Sequence, residues 1–284
     1  MRIQQPTRVR VAIFVFAFRR LILGIDGALT NGHSCKMKLT TIILTLAAAI
    51  SLQLSAAAQT NTTEIAESHT NTAIIPVPRT GAATNRQDLV LRRAKENPGN
   101  YDIEFIGDSI TQGWEGAGKN VWHEFYSNRK VINMGVGGDR TQHVLWRFEN
   151  GQLDGIKAKV AVVMIGTNNS NHDDNSEADI LEGVTAIVNQ IRERQADTKI
   201  ILLGIFPRGK TFSVQRGKIL QVNEALAKLD DGKNIFYIDF GSQLIEKDGS
   251  IAKSMMHDYL HPGEDGYLIW ANAIEPKLRE LLAN

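Results

Sequence analysis

Ile103-Glu104-Phe105-Ile106-Gly107-Asp108-Ser109-Ile110-Thr111 is the stretch on which the reading of this chain turns. A mostly apolar run stops at a glycine, and two residues that favour helix starts follow. The pattern predicts a buried strand, a tight turn and a helix whose N-terminus carries a hydroxyl. Unpaired backbone N–H groups and the positive end of the helix dipole would surround Ser109. Such a position suits a nucleophile that must generate an oxyanion, and it equally suits an ordinary N-cap.

Working outward, the alternation continues. Strands are expected at 102–106, 131–133, 159–165, 199–204 and 235–239, several of them near-continuous apolar runs of the kind covered on both faces. Helices are expected at about 88–96, 110–127, 140–149, 177–195, 214–229 and 264–282. In the fourth of these, Ile180, Leu181, Val184, Ile187, Val188 and Ile191 recur at helical spacing. Alternating strands and helices imply an α/β fold, a parallel five-stranded sheet with helices on both faces. In such sheets ligands bind beyond the carboxyl ends of the strands, so chemistry belongs there. There is no internal repeat, and no second core, so residues 87–284 are expected to form one domain.

The ends of the strands carry four polar groups. The first is Gly107-Asp108-Ser109. The second is Asn133-Met134-Gly135-Val136-Gly137-Gly138-Asp139-Arg140, the third Gly166-Thr167-Asn168-Asn169, and the last, before the final helix, Asp258-Tyr259-Leu260-His261-Pro262. An imidazole that activates a serine needs a carboxylate to hold its tautomer, and Asp258 and His261, three apart in a turn, have that spacing. The glycine cluster is a poor dinucleotide loop, because Arg140 stands where the third glycine is required and the cluster follows the second strand. A glycine such as Gly138 lets a backbone N–H approach a reacting carbonyl, and Asn168 offers a side-chain N–H. Each of these also has an ordinary reading as a turn or a surface loop. Together they follow successive strands, with Ser, Asp and His in that chain order.

Composition narrows the classes. The chain is 43% apolar and 22% charged, as a globular protein should be. Of its 32 basic and 31 acidic residues, seven and one (Asp26) lie in residues 1–58, which leaves 25 and 30 and a net charge of −5 in the remainder. An acidic body gives no support for nucleic-acid binding. Cys35 alone makes neither a disulfide framework nor a cysteine metal site. Met37-Lys38, the apolar run from Leu39 and Ser55-Ala56-Ala57-Ala58-Gln59 have the three parts of a secretory signal, with cleavage expected after Ala58. The competing reading is an uncleaved anchor. Residues 1–36 then read as an extension ahead of the true start, and 59–86, rich in Thr, Asn, Ala and Ser, as a flexible linker or arm.

Gly107-Asp108-Ser109-Ile110, the glycine of 137–139, Gly166-Thr167-Asn168 and Asp258-x-x-His261 together resemble the four blocks of the SGNH (GDSL-type) hydrolases. Residues 137–151 and Pro207-Arg208-Gly209 add a likeness to the catalytic subunits of the platelet-activating-factor acetylhydrolase IB type. The resemblance covers about residues 88–282. It implies a flavodoxin-like three-layer α/β/α sandwich and a serine esterase needing no metal or cofactor. Ser109 would be the nucleophile, His261 the base and Asp258 the orienting acid. The Ser109 and Gly138 N–H groups and the Asn168 side chain would form the oxyanion hole. Ile110 replaces the leucine of the family motif, an aliphatic exchange. The expected export signal, which the intracellular relatives lack, points to a secreted or periplasmic enzyme acting on acetyl or other short esters of carbohydrate or small molecules. The alternatives are a lysophospholipase, a thioesterase, a platelet-activating-factor-type acetylhydrolase or a non-catalytic binding domain. A small-molecule or oligosaccharide ester is the expected partner, with no stable membrane insertion after cleavage and assembly into homo-oligomers left open.

Other residues are read as structural. His172-Asp173-Asp174 lies in a polar loop without a ligand repeat, His143 and Trp146 sit three apart on a helix, and His257 is a solvated neighbour of the last turn. Trp114 and Trp122 suit a core at least as well as a pocket wall.

Overall fold

Strands β1 (Gly99–Gly107), β2 (Val131–Asn133), β3 (Ile156–Met164), β4 (Lys199–Leu203) and β5 (Ile235–Ile238) form a parallel sheet in the order β2-β1-β3-β4-β5. This is the expected flavodoxin-like order. The computed structural model describes residues 69–172 and 174–283, so the expected extension, the signal segment and Cys35 lie outside the described residues. The helices are α1 (Ala83–Glu96), α2 (Ser109–Gln112), α3 (Lys119–Tyr126), α4 (Thr141–Glu149), α5 (Glu177–Arg194), α6 (Val214–Leu226) and α7 (Glu264–Leu282). None of the described helices is long and apolar enough to cross a membrane.

The two-residue period of the strands divides the core into two faces. Ile103 and Phe105 of β1, with Val160, Val162 and Met164 of β3, pack against α3 and α7 through Val121, Tyr126, Trp270 and Ile274. Ile106, Ala161 and Val163 face the other way, onto Val144 and Phe148 of α4, Val184 and Ile187 of α5, and Val222 of α6. Three layers result, as expected. Glu104 shares the second face and is completely buried there. Val90 and Ala94 of α1 close the β2 side over Tyr101, Ile132 and Met134.

One expectation is corrected. The helix expected over 110–127 is broken: α2 gives way to a 3₁₀ turn at Gly113–Glu115, and α3 starts only at Lys119. Gly113, Gly116 and Gly118 disfavour a continuous helix there. The break lets Trp114 enter a cluster with Phe105, Trp122, Tyr126, Tyr267 and Trp270, with ring centroids 4.6–5.9 Å from that of Trp114. Both tryptophans are therefore packing residues. Part of the stretch read as a linker or arm lies within the described residues. From Thr70 on, the chain belongs to one compact unit. Thr141 Oγ1 donates to the carbonyl of buried Ala73 (2.7 Å), the Val77 N–H to the carbonyl of Gln142 (3.3 Å), and Asn71 Nδ2 to Glu182 Oε2 (2.7 Å). Those bonds, together with α1 starting at Ala83, make 70–86 part of the body.

Candidate active site

At the carboxyl end of β1, Asp108 is the N-cap of α2: its buried Oδ1 accepts the Ile110 N–H at 2.9 Å. Ser109 is thus the first helical residue and not the cap. The sequence left both roles open for Ser109; because Asp108 satisfies the helix end, the Ser109 hydroxyl is free for another partner. That partner is His261, whose Nε2 lies 2.8 Å from Ser109 Oγ. His261 stands in the loop between β5 and α7. The turn that carries it holds Tyr259 at φ 62°, an uncommon conformation for a residue with a side chain. This bend lets Asp258 fold back on the ring: Asp258 Oδ2 is 2.6 Å from His261 Nδ1, while Oδ1 accepts the backbone N–H groups of Leu260 (3.1 Å) and His261 (2.8 Å). Partial burial works against the Asp258 charge, but the His261 and Leu260 N–H groups and the imidazole outweigh it and bring the pKa down to about 2. The ring is therefore held by a carboxylate on one nitrogen and faces a hydroxyl with the other.

The glycine loop after β2 packs on this turn. Gly137 lies against Ser109, close enough that a Cβ there would come within 3.9 Å of the Ser109 Cβ. Its N–H donates to Gln112 Oε1 (2.8 Å), and the Gly135 N–H donates to Asn133 Oδ1 (2.9 Å). Asn168, after β3, donates Nδ2 to the Asp139 carbonyl (2.9 Å), which ties the third strand end to the second. Among the described residues, the N–H groups of Ser109 and Gly138 have no hydrogen-bond partner. Asn169 supports this arrangement from below: it accepts the Thr141 N–H (3.0 Å) and donates to Gln142 Oε1 (3.0 Å) and Asn175 Oδ1 (3.0 Å), all buried. Asp139, fully buried, forms an ion pair with equally buried Arg147.

The structure adds participants without a local sequence signal. Arg208 donates Nη1 to the Thr167 carbonyl (3.0 Å) and hydroxyl (3.2 Å), and its charge acts on both Asp108 and Asp258. Burial raises the Asp108 pKa to about 7, with the Ile110 N–H, His261 and Arg208 pulling the other way. Gln112 and Arg79 reach the glycine loop from α2 and from the arm. Pro207-Arg208-Gly209 was visible as a family-like string, but nothing local to it gave Arg208 a task.

The residues set aside stay outside the site. His143 accepts the Arg140 N–H on Nδ1 (3.0 Å) at the start of α4; burial, then Arg79 and Arg140, lower its pKa to about 4. His257 is exposed, with Nε2 3.9 Å from Asp258 Oδ2. Asp173 lies outside the described residues, among which no group of three or more His, Cys, Asp or Glu is arranged to hold a metal ion. A cleft of about 800 Å³ lies at the opposite edge, lined by Tyr101, Lys130, Lys157, Arg194 and Thr198. Cations gather there as they do at the carboxyl ends of helices in a parallel α/β sheet. The contacts of Ser109, and not cleft size, locate the candidate site.

The sequence model of the GDSL-like lipase/acylhydrolase family matches residues 105–269, from the middle of β1 into α7. The chain belongs to that family. This acylhydrolase is a carboxylic ester hydrolase. It is 38% identical over 183 residues to the platelet-activating factor acetylhydrolase IB subunit alpha1 of Homo sapiens, which covers 64% of this chain and 77% of the relative. The alpha2 subunit of Rattus norvegicus is also 38% identical, over 182 residues and the same shares. Among solved structures, a GDSL-like lipase from Bacteroides thetaiotaomicron aligns with TM-score 0.56 at 19% identity, over 68% of this acylhydrolase and 98% of that chain. An acetylxylan esterase from Geobacillus stearothermophilus aligns with TM-score 0.51 at 19% identity, over 63% and 94%. At such identities the structural likeness speaks for the fold.

Proposed function

We propose that this acylhydrolase removes short acyl groups, acetyl first, from esters of carbohydrates or other small alcohols, with Ser109 as nucleophile, His261 as general base and Asp258 as orienting acid. The observation that carries the reading is the unbroken line Ser109 Oγ–His261 Nε2–His261 Nδ1–Asp258 Oδ2, with spacings of 2.8 and 2.6 Å. In the first half-reaction His261 takes the Ser109 proton as Oγ attacks the ester carbonyl, and Asp258 holds the imidazolium that forms. The carbonyl oxygen gains charge and is met by the Ser109 N–H, the Gly138 N–H and Asn168 Nδ2. His261 then gives its proton to the departing alcohol, leaving an acyl-serine. Water attacks that ester by the same route and regenerates the enzyme.

Preference for short acyl groups is supported by the short connection 134–140 after β2, which brings Gly137 against Ser109. Export is supported by residues 37–58, which read as a secretory signal. A second reading, hydrolysis of the acetyl group of an acetylated phospholipid, is favoured by the 38% identity to the acetylhydrolase IB subunits. One panel separates them: chromogenic acetate and octanoate, acetylated xylo-oligosaccharides and an acetylated ether phospholipid, each with wild type and Ser109→Ala. Faster cleavage of octanoate than acetate refutes the short-chain preference. Turnover of the phospholipid but not of the sugars moves the substrate to the second reading, and equal turnover by Ser109→Ala ends the serine mechanism.

A further inference from the structure

Arg79 belongs to the segment ahead of α1 that composition alone reads as an arm. Its backbone N–H is fixed to Gln87 Oε1 at 2.8 Å. Its side chain crosses to the glycine loop, where Nη1 donates to the Gly138 carbonyl at 2.9 Å and Nε lies 3.7 Å from Asp139 Oδ1. Gly138 has φ 73°, and a Cβ there would lie 2.8 Å from Arg79 Nη2. The guanidinium thus fills the space that a side chain on residue 138 would take. The groups on either side of the Gly138 N–H are committed elsewhere. The Gly137 N–H goes to Gln112, the Asp139 N–H to the Val136 carbonyl (3.1 Å), the Asp139 carboxylate to Arg147, and the Asp139 carbonyl to Asn168. Among the described residues, the N–H of this loop that these bonds leave without a partner is that of Gly138.

A loop of glycines has little stiffness of its own, so its geometry comes from such anchors. A charge-assisted bond to the Gly138 carbonyl is the strongest anchor of that residue, and the planar fork of arginine reaches carbonyl and carboxylate together, which a lysine ammonium does not. We propose that Arg79 is a positioning residue for catalysis: it fixes the Gly138 N–H and, through Asp139, the Asn168 side chain toward the oxygen that becomes negative. The arm thereby completes the oxyanion hole. This inference rests on the reading above that Gly138 and Asn168 are the oxyanion donors. Arg79 acts through the loop and does not contact the reacting atoms.

The test compares wild type, Ser109→Ala, Arg79→Ala, Arg79→Lys and Asn71→Ala in the full chain. Asn71→Ala cuts the arm's bond to Glu182 but leaves Arg79 in place. Each variant is assayed on a chromogenic acetate and titrated with an alkyl boronic acid, which forms a tetrahedral adduct on a nucleophilic serine. Arg79→Ala is expected to lower kcat by about 10- to 100-fold, the scale of a small misplacement of a catalytic group, with KM nearly unchanged. Boronate affinity should fall in parallel, Arg79→Lys should recover part of both, and Asn71→Ala should behave as wild type. Wild-type kcat and boronate affinity in Arg79→Ala overturn the inference. Equal losses in Asn71→Ala also overturn it, since the arm would then act only as a structural tie. If Arg79→Ala does not fold, Arg79→Lys decides: no change in kcat counts against positioning. Absence of turnover in wild type itself would sink the esterase reading, and this inference with it.

Discussion

Replacing Glu104 by glutamine isolates a conflict built into β1, the strand that delivers Ser109. Glu104 is fully buried on the second face of β1, and neither carboxyl oxygen has a hydrogen-bond partner. Gln195 lies close enough to ease the burial slightly, but its Nε2 is committed to the Ile156 carbonyl at 3.1 Å. Burial therefore raises the Glu104 pKa from 4.5 to about 8. The folded chain keeps this proton where the unfolded chain has lost it. Stability from this group is complete below pH 4.5 and is lost progressively as pH rises through about 8. At about 1.4 kcal/mol per pH unit, the loss reaches roughly 3 kcal/mol at pH 7. Glutamine has a similar shape and no titration, so its unfolding free energy should fall less than wild type's across this range. The difference between the two should grow by roughly 3 kcal/mol from pH 4.5 to 7 and level off above pH 8. Urea unfolding of both proteins at pH 4.5, 5.5, 7 and 8.5 measures it. Parallel stability-against-pH curves would refute the reasoning, whatever the absolute stability of the variant.

Other expectations follow from the site. Asn168→Ala should lower kcat on a chromogenic acetate by about two to three powers of ten, and a near-normal rate would remove Asn168 from the oxyanion hole. Asp258→Asn leaves the shape of the turn but loses the carboxylate that fixes the His261 tautomer; kcat should fall by about 10²–10⁴ while the unfolding temperature stays close to wild type. A Cβ on Gly135 would overlap the Gln112 backbone nitrogen and come within 2.7 Å of the Thr111 carbonyl carbon and 2.9 Å of the Asp108 carbonyl oxygen. Gly135→Ala should therefore cost about 1–3 kcal/mol of stability, read by urea unfolding, and reduce kcat with it.

What the sequence made legible had short-range signals. Apolar runs ending at Gly107 and Gly166, the helical period of α5 and the three-residue spacing of Asp258 and His261 are all local, and each survives in the structure. Ser109 follows the turn after β1, and Asp108, which lies before the first helical residue, takes the cap that the sequence offers to either. The ties of the arm are long-range: Asn71 meets Glu182, Ala73 meets Thr141, and Arg79 meets Gly138. No local pattern of Thr, Asn and Pro marks such partners. Arg208 was hidden for the same reason, since its partner Thr167 lies 41 residues away. The broken helix after Ser109 is readable in principle from Gly113, Gly116 and Gly118.

Covalent capture distinguishes a nucleophilic Ser109 from an ordinary helix-terminal serine. The full chain is treated with a fluorophosphonate, and the modified peptide is located by mass spectrometry while acetate hydrolysis is followed. A nucleophilic Ser109 should give one phosphonyl group per chain on Ser109, loss of hydrolysis in step with labelling, and no labelling of Ser109→Ala. Labelling at another residue, or hydrolysis that persists when Ser109 is fully modified, would contradict it.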